Sequence, residues 1–122
     1  MSFDWLHYLD LASELSEQAG SSKHKDANLR SSISRAYYAS YHQTRKHLKD
    51  KWGILVPKNA DAHGQVRVEL RKKMQYSIAK KLNRMRIDRN KADYDDEFAD
   101  LEGIAQENIW RAKQVLSGLR RL

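Results

Sequence analysis

Apolar residues recur every three or four positions along most of this chain, the spacing of α-helices that each bury one face. The pattern is strongest in Leu29–Leu48, which contains no Gly or Pro. At about 100° per residue, Leu29, Ile33, Tyr37, Tyr41 and Leu48 fall on one side of a helix. Arg35, Tyr38, His42, Lys46 and Lys49 fall roughly opposite. A core needs only the first face. The second carries a cation, a phenol and an imidazole, and asks for another explanation.

The same spacing predicts four further helices. Ser2–Ala19 carries a stripe of Trp5, Leu6, Tyr8, Leu9, Ala12 and Leu15, with Ser2 as cap, Asp4 at the positive end and Gly20 as stop. Asp26 is placed to cap the long second helix, which runs to about Trp52 and ends at Gly53. Ile54–Ala60 holds the only proline and reads as an extended, mobile loop. A third helix runs from Asp61 to about Met74, with Val66, Leu70 and Met74 inside. His63, near its start, can cap, bind an anion or face water. A fourth runs from about Tyr76 to Lys91 or slightly beyond, on a stripe of Ile78, Leu82 and Met85. Carried forward, that stripe reaches Arg86, Arg89 and Asp93, so an inward face turns charged. Buried charge is costly unless paired, so these residues pair, line a polar cleft or meet a partner. The last helix spans Asp95–Leu122. Asp95, Asp96 and Glu97 stand at its positive end, Phe98, Leu101, Ala105, Ile109, Ala112, Leu116 and Leu119 point inward, and Trp110 lies off the stripe, suited to an oligomer contact.

Composition supports an all-α fold and narrows the partners. The 122 residues make one domain, 40% apolar and 32% charged, with one Pro and five Gly and no alternating strand pattern. There is no Cys, so no disulfide framework and no thiolate zinc site. The formal net charge of +7 and pI near 9.7 favour polyanions such as RNA, DNA or nucleotides. No apolar run approaches the roughly 18 residues of a membrane span, and the acidic start does not read as a signal peptide. The expectation is a cytoplasmic protein that does not engage a membrane.

Two constellations could carry chemistry. Arg35, Tyr38 and His42 share a face of the second helix. Arg holds phosphate bidentately, His passes protons near neutrality, and Tyr stacks on a base or donates to a phosphate oxygen. The set suits binding RNA, or cleaving it without metal by attack of a 2′-hydroxyl. It equally suits a helix packed on two sides. Arg86, Arg89, Asp93 and Tyr94 form the second set. Arg89 and Asp93 are spaced for an intrahelical pair, and Asp93 could instead reach Arg35. The five scattered His form no metal-ligand motif, and neither a Gly-rich phosphate loop nor a nucleophile elbow is present. No metal or cofactor is expected.

SRAYYASYH (Ser34–His42) and RNKADYDD (Arg89–Asp96) together resemble the HEPN domains of prokaryotes, closest to the small branch with R-A-Y-Y-A and R-x-x-A-D-Y signatures. The resemblance implies an up-and-down bundle of four to five helices over residues 1–122, commonly a homodimer. It also implies a ribonuclease toxin or anti-phage effector acting on RNA such as tRNA or mRNA, paired with a nucleotidyltransferase-like antitoxin. The alternative it allows is a non-catalytic module that binds nucleotide, nucleic acid or a partner protein. Arg89 matches the family's catalytic arginine, but the histidine that should follow has no counterpart: five positions on stands Tyr94, and no His occurs later. On the catalytic reading, Arg35, Arg89, His42 and Tyr94 act at the phosphate, while Tyr38, Arg86, Asp93 and Lys46 hold the RNA or nucleotide.

Overall fold

The computed structural model describes residues 2–122. Among them are five α-helices: α1 (Leu6–Gln18), α2 (Lys25–Trp52), α3 (Ala62–Lys72), α4 (Tyr76–Tyr94) and α5 (Leu101–Arg120), with a 3₁₀ turn at Ala19–Ser21. The chain is an all-α bundle built around α2, which touches each of the other four helices. Leu29, Ile33, Tyr37, Tyr41 and Leu48 are buried as the periodicity predicts. Ser32, Ser34, Ala36, Ala39, Ser40 and Thr44 are buried as well, so α2 is covered on more than the one face read from its large apolar residues. Small side chains let neighbouring helices approach closely. Their hydroxyls find backbone acceptors: Ser32 Oγ donates to the Ala12 carbonyl at 2.7 Å, and Thr44 Oγ1 to the Ser40 carbonyl at 2.8 Å.

The helix ends differ from the expected ones for local reasons. Ser2 is exposed and does not cap α1; the Asp4 carboxylate accepts the Leu6 N–H at 3.0 Å instead. Gly20 sits within the 3₁₀ turn that tightens the end of α1. Asp26 lies inside the first turn of α2, where its charge suits the helix dipole, and is not the cap. Gly53 ends α2 in the left-handed region (φ +65°), with its N–H on the Lys49 carbonyl and that of Ile54 on the Leu48 carbonyl. The following segment is fastened to α2. Val56 is buried, and its carbonyl accepts from Arg45 Nε and Nη2 at 3.2 and 3.0 Å. α3 stops at Lys72. Met74 turns into the left-handed region (φ 60°) and is 73% exposed, so it is not a core residue.

The largest departure is at the start of α5. Asp95, Asp96 and Glu97 precede the helix and form no part of its first turn. Arg30 of α2 reaches this connection and donates to the carbonyls of Ala92, Asp95 and Asp96. Those oxygens are thereby held away from a continuing helix, and α5 begins only after Asp100 (φ 54°). Phe98 and Leu101 then pack on a small apolar cluster of Ala19, Leu29, Ile33, Ala92 and Ala105. The main cluster runs through Tyr37, Leu48, Val66, Leu82, Met85 and Val115. Trp110 is 57% exposed, consistent with its place off the stripe.

A buried acid lies between α4 and α5. Asp88, 1% exposed, accepts from Asn108 Nδ2 at 3.0 Å and faces Arg84 at 3.5 Å and Arg111 at 3.6 Å. Removing it leaves the Asn108 amide only the Ile104 carbonyl, at 2.9 Å, as acceptor and leaves Arg111 without its buried counter-charge. Asp88→Ala should therefore destabilise the fold by about 3 kcal/mol, comparable to truncating a core leucine. Urea unfolding of the wild type, Asp88→Ala and Leu48→Ala measures both. A cost for Asp88→Ala below about 1 kcal/mol, the value of a surface pair, would show that the network holds nothing together.

Candidate functional site

α2, α3 and α4 meet in a layered arrangement of aromatic rings beneath guanidinium groups. Tyr37 and Tyr41 project from the buried face of α2, and both rings stack on His63 of α3, with centroids 5.6 and 4.1 Å away and planes 18° apart. The Tyr37 hydroxyl is hydrogen-bonded to His63 Nδ1. Over Tyr37 and Tyr38 lies the guanidinium of Arg89, 5.6 and 5.3 Å from the two ring centres. A cation over an aromatic face is held by the ring quadrupole, and more strongly where water is excluded. Arg89 is only 13% exposed, pairs with Asp93 at 3.5 Å, and keeps a buried Nε without a hydrogen-bond partner.

Helical periodicity completes the wall. On α3, His63, Arg67 and Arg71 are spaced four apart and share one stripe, which runs beside the Val66 and Leu70 stripe that enters the core. On α4, Arg86, Arg89 and Asn90 face them. Together these six residues line an open cavity of about 570 Å³. Arg67 Nη1 donates to the His63 carbonyl at 3.2 Å. Arg86 Nη2 donates to Asn83 Oδ1 at 3.3 Å, and its buried Nε has no partner. Four guanidinium groups thus border one cavity. The acids at hand are Asp93, engaged with Arg89, and the exposed Asp61 at the rim.

Titration follows from this crowding. Burial, and then the charges of Arg89, Arg67 and Arg86, push His63 below the usual imidazole range. Burial raises the Tyr37 phenol far above its ordinary value despite the same arginines, which oppose the rise. Both groups are therefore neutral at pH 7. Between a neutral phenol and a neutral imidazole the phenol is the stronger acid, so its O–H donates to Nδ1 and the ring proton sits on Nε2. Arg67 too is pushed down, by burial first and then by Arg86. The arrangement can grip an oxyanion: guanidinium forks match carboxylate and phosphate oxygens, and the His63 Nε2–H adds a neutral donor.

Of the residues expected at a site, Tyr38, Arg86, Arg89 and Asp93 are brought together. The others are not. Arg35 turns toward α1 and lies over the Tyr8 ring at 4.8 Å, so Asp93 pairs with Arg89 and not with Arg35. His42 stacks on Trp5 with centroids 3.5 Å apart and planes 14° apart. Tyr94 is 76% exposed at the end of α4, and Lys46 is an exposed residue of α2 outside this cavity. Sequence reasoning left His63 open between cap, anion contact and solvent, and missed Arg67, Arg71 and Tyr37. His63, Arg67 and Arg71 share a polar stripe bordering Val66 and Leu70, a legible signal. Tyr37 reads as core and is core; its hydroxyl reaches the site only because α3 crosses there.

His42 is held down to about 4 by burial first, then by Arg45, His63 and Lys58. A depressed imidazole favours the folded state above the unfolded value near 6.5. That contribution should fade as pH falls from about 6.5 toward 4, with His63 adding in the same direction. His42→Phe keeps a ring on Trp5 and removes the proton site. Its urea midpoint should fall less steeply between pH 7 and pH 4.5 than that of the wild type. Parallel slopes would mean that His42 does not titrate on unfolding.

The sequence resemblance carried the labels HEPN, RNA-binding, ribonuclease, hydrolase, toxin–antitoxin and antiviral defence, and these are corrected. The residues read as catalytic do not share one cavity: Arg35 lies over Tyr8, His42 stacks on Trp5 and more loosely on Tyr38, and neither lines the cavity that Arg89 borders. Among the described residues no group of three or more His, Cys, Asp or Glu could hold a metal ion, and no helix is long and apolar enough to cross a membrane. The chain matches no protein-family model, no curated protein and no solved structure, so nothing beyond its own motifs supports those labels.

Proposed function

We propose that this protein is a non-catalytic binding module for a phosphorylated small molecule of the nucleotide class, held in the cavity between α3 and α4. The observation that carries this reading is the excess of cations there. Arg67, Arg71, Arg86 and Arg89 border one cavity, and Asp93 answers only Arg89. Like charges in close quarters cost stability, and partial burial adds to that cost. A fold keeps such a cluster where an anion completes it. Phosphate suits it better than a lone carboxylate, because its several oxygens accept from more than one guanidinium at once. The half-buried ring of Tyr38 lies beside Arg89, where a base can rest against it.

Two consequences separate a binding cluster from a merely structural one. Phosphate-bearing probes should stabilise the protein against heat in the order ATP, pyrophosphate, inorganic phosphate, while chloride at matched ionic strength does not. Arg67→Gln should weaken ATP binding, read by titration calorimetry, by about tenfold or more. The same substitution should leave the unliganded melting temperature at low salt unchanged or raised, because it relieves repulsion from Arg86. NMR should also show the His63 imidazole titrating at higher pH once phosphate is bound, since a nearby anion favours its charged form. No thermal shift with any phosphate probe, together with a lower melting temperature for Arg67→Gln, would make the cluster a structural one.

A further inference from the structure

A second cavity lies on another side of α2 and involves none of the four clustered arginines. It measures about 580 Å³, within the range of roughly 300–1,000 Å³ that ligand clefts occupy, and runs between the start of α1, the exposed side of α2 and the Ile54–Lys58 segment. Its lining divides in two. Trp5, stacked on His42, supplies an aromatic wall, and Val56 and Ile54 supply buried and half-buried aliphatic surface. Phe3 and Leu55 border it while 51% and 74% exposed, far more than folding alone asks of large apolar side chains. Around this apolar surface stand Arg45, Lys46, Lys49 and Lys58, against one acid, Asp50.

The groove is already shaped. Arg45 holds the Val56 carbonyl with two N–H groups, fixing the segment against α2, and Phe3 is set edge-on against Trp5 and Tyr8 at 4.8 and 5.2 Å. A preformed cleft loses less on binding than one that must order itself. Its concavity matters to the choice of occupant. A membrane surface is met by a convex or flat apolar face, whereas a cleft with an apolar base and a cationic rim accepts a chain that inserts side chains and leaves its charges at the edge.

We infer that this groove docks an acidic peptide segment of a partner protein, with one or two large apolar side chains seated between Trp5, Leu55 and Val56 and its carboxylates against Lys46, Lys49 and Lys58. Charge complementarity selects the segment and speeds encounter; the apolar anchors hold it. Arg45 is already engaged with the backbone and acts as a support for the groove.

The probe is a short fluorescent peptide of Asp and Glu surrounding a Leu-Phe pair, followed by anisotropy with the full chain. The expected dissociation constant at low salt is micromolar, weakening as salt is added. Lys46→Glu/Lys49→Glu should weaken binding by about tenfold or more, and Leu55→Ser, at an exposed position that folding does not use, by about fivefold to tenfold. Lys80→Glu/Lys81→Glu makes the same charge change on α4 and should have little effect. Several results would overturn the inference. One is equal binding of a peptide with Ser in place of Leu-Phe, which would show a mere charge attraction. Another is equal loss in the α4 variant. A third is preferential capture of vesicles containing an anionic phospholipid, lost in the same α2 variant, which would make the patch a lipid contact. The last is concentration-dependent self-association abolished by Lys46→Glu/Lys49→Glu, which would make the occupant a second copy of this chain.

Discussion

The constraint behind this architecture is that one helix must be covered on nearly every side. α2 is 28 residues long, about 42 Å at the usual rise per residue. No single neighbour is as long, and α1, α3, α4 and α5 all pack against it, α4 and α5 together at Leu29 and Ile33. Close approach on several faces is bought with small residues, Ser32, Ala36, Ala39 and Ser40, none more than marginally exposed. Where larger polar groups occur on α2, each is engaged by a different neighbour: Arg30 by the connection after α4, Arg35 by Tyr8, His42 by Trp5 and Arg45 by the Val56 carbonyl. Arg35 and His42, which share one face in a helical projection, are therefore held by different rings, Tyr8 and Trp5.

Charge is housed in two contrasting ways at the α4 helix. Asp88 is deeply buried and faces Arg84, Arg111 and Asn108, so its charge is answered within the chain, while Asn108 Oδ1 and Arg111 Nη1 beside it are buried without a hydrogen-bond partner. On another side of the same turns, Arg86 and Arg89 are buried at their Nε atoms without an acceptor there, and Arg67 and Arg71 approach from α3. The first sets one acid between two cations; the second sets four cations against Asp93 and the exposed Asp61. Both lie on a single helix, which places a rigid internal lock beside an open cationic wall and lets the wall keep its geometry when it is empty.

Much of the fold was legible in the sequence because periodicity reports burial. The core positions of α2, α4 and α5 follow from their spacing, and Gly53 marks the end of α2 through a backbone conformation that glycine adopts without strain. The start of α5 was not legible. Local charge placed Asp95, Asp96 and Glu97 at a helix N-terminus, but a guanidinium more than sixty residues away in sequence, that of Arg30, takes the carbonyls a longer helix would use. The site was half legible. An apolar stripe turning charged pointed to Arg86, Arg89 and Asp93. Arg67 and Arg71 escaped, and His63 stayed undecided, because a polar stripe on a short helix resembles an ordinary solvated face until Arg86 and Arg89 of α4 are known to stand beside it. Arg35 and His42 misled for the converse reason: a shared helix face does not guarantee a shared cavity when the helix has neighbours all round.

Arg30 fastens the acidic connection through main-chain oxygens only. Every residue type presents the same carbonyl, so the clasp is indifferent to which side chains the connection displays. That leaves Asp95, Asp96 and Glu97, all exposed, at liberty to vary over evolutionary time without loosening the hinge between the last two helices. Arginine itself has no such liberty, since a lysine has a single nitrogen with which to reach three oxygens spread over five residues. Diversity at this edge of the molecule thus hangs on one invariant-by-geometry cation set far back in the chain.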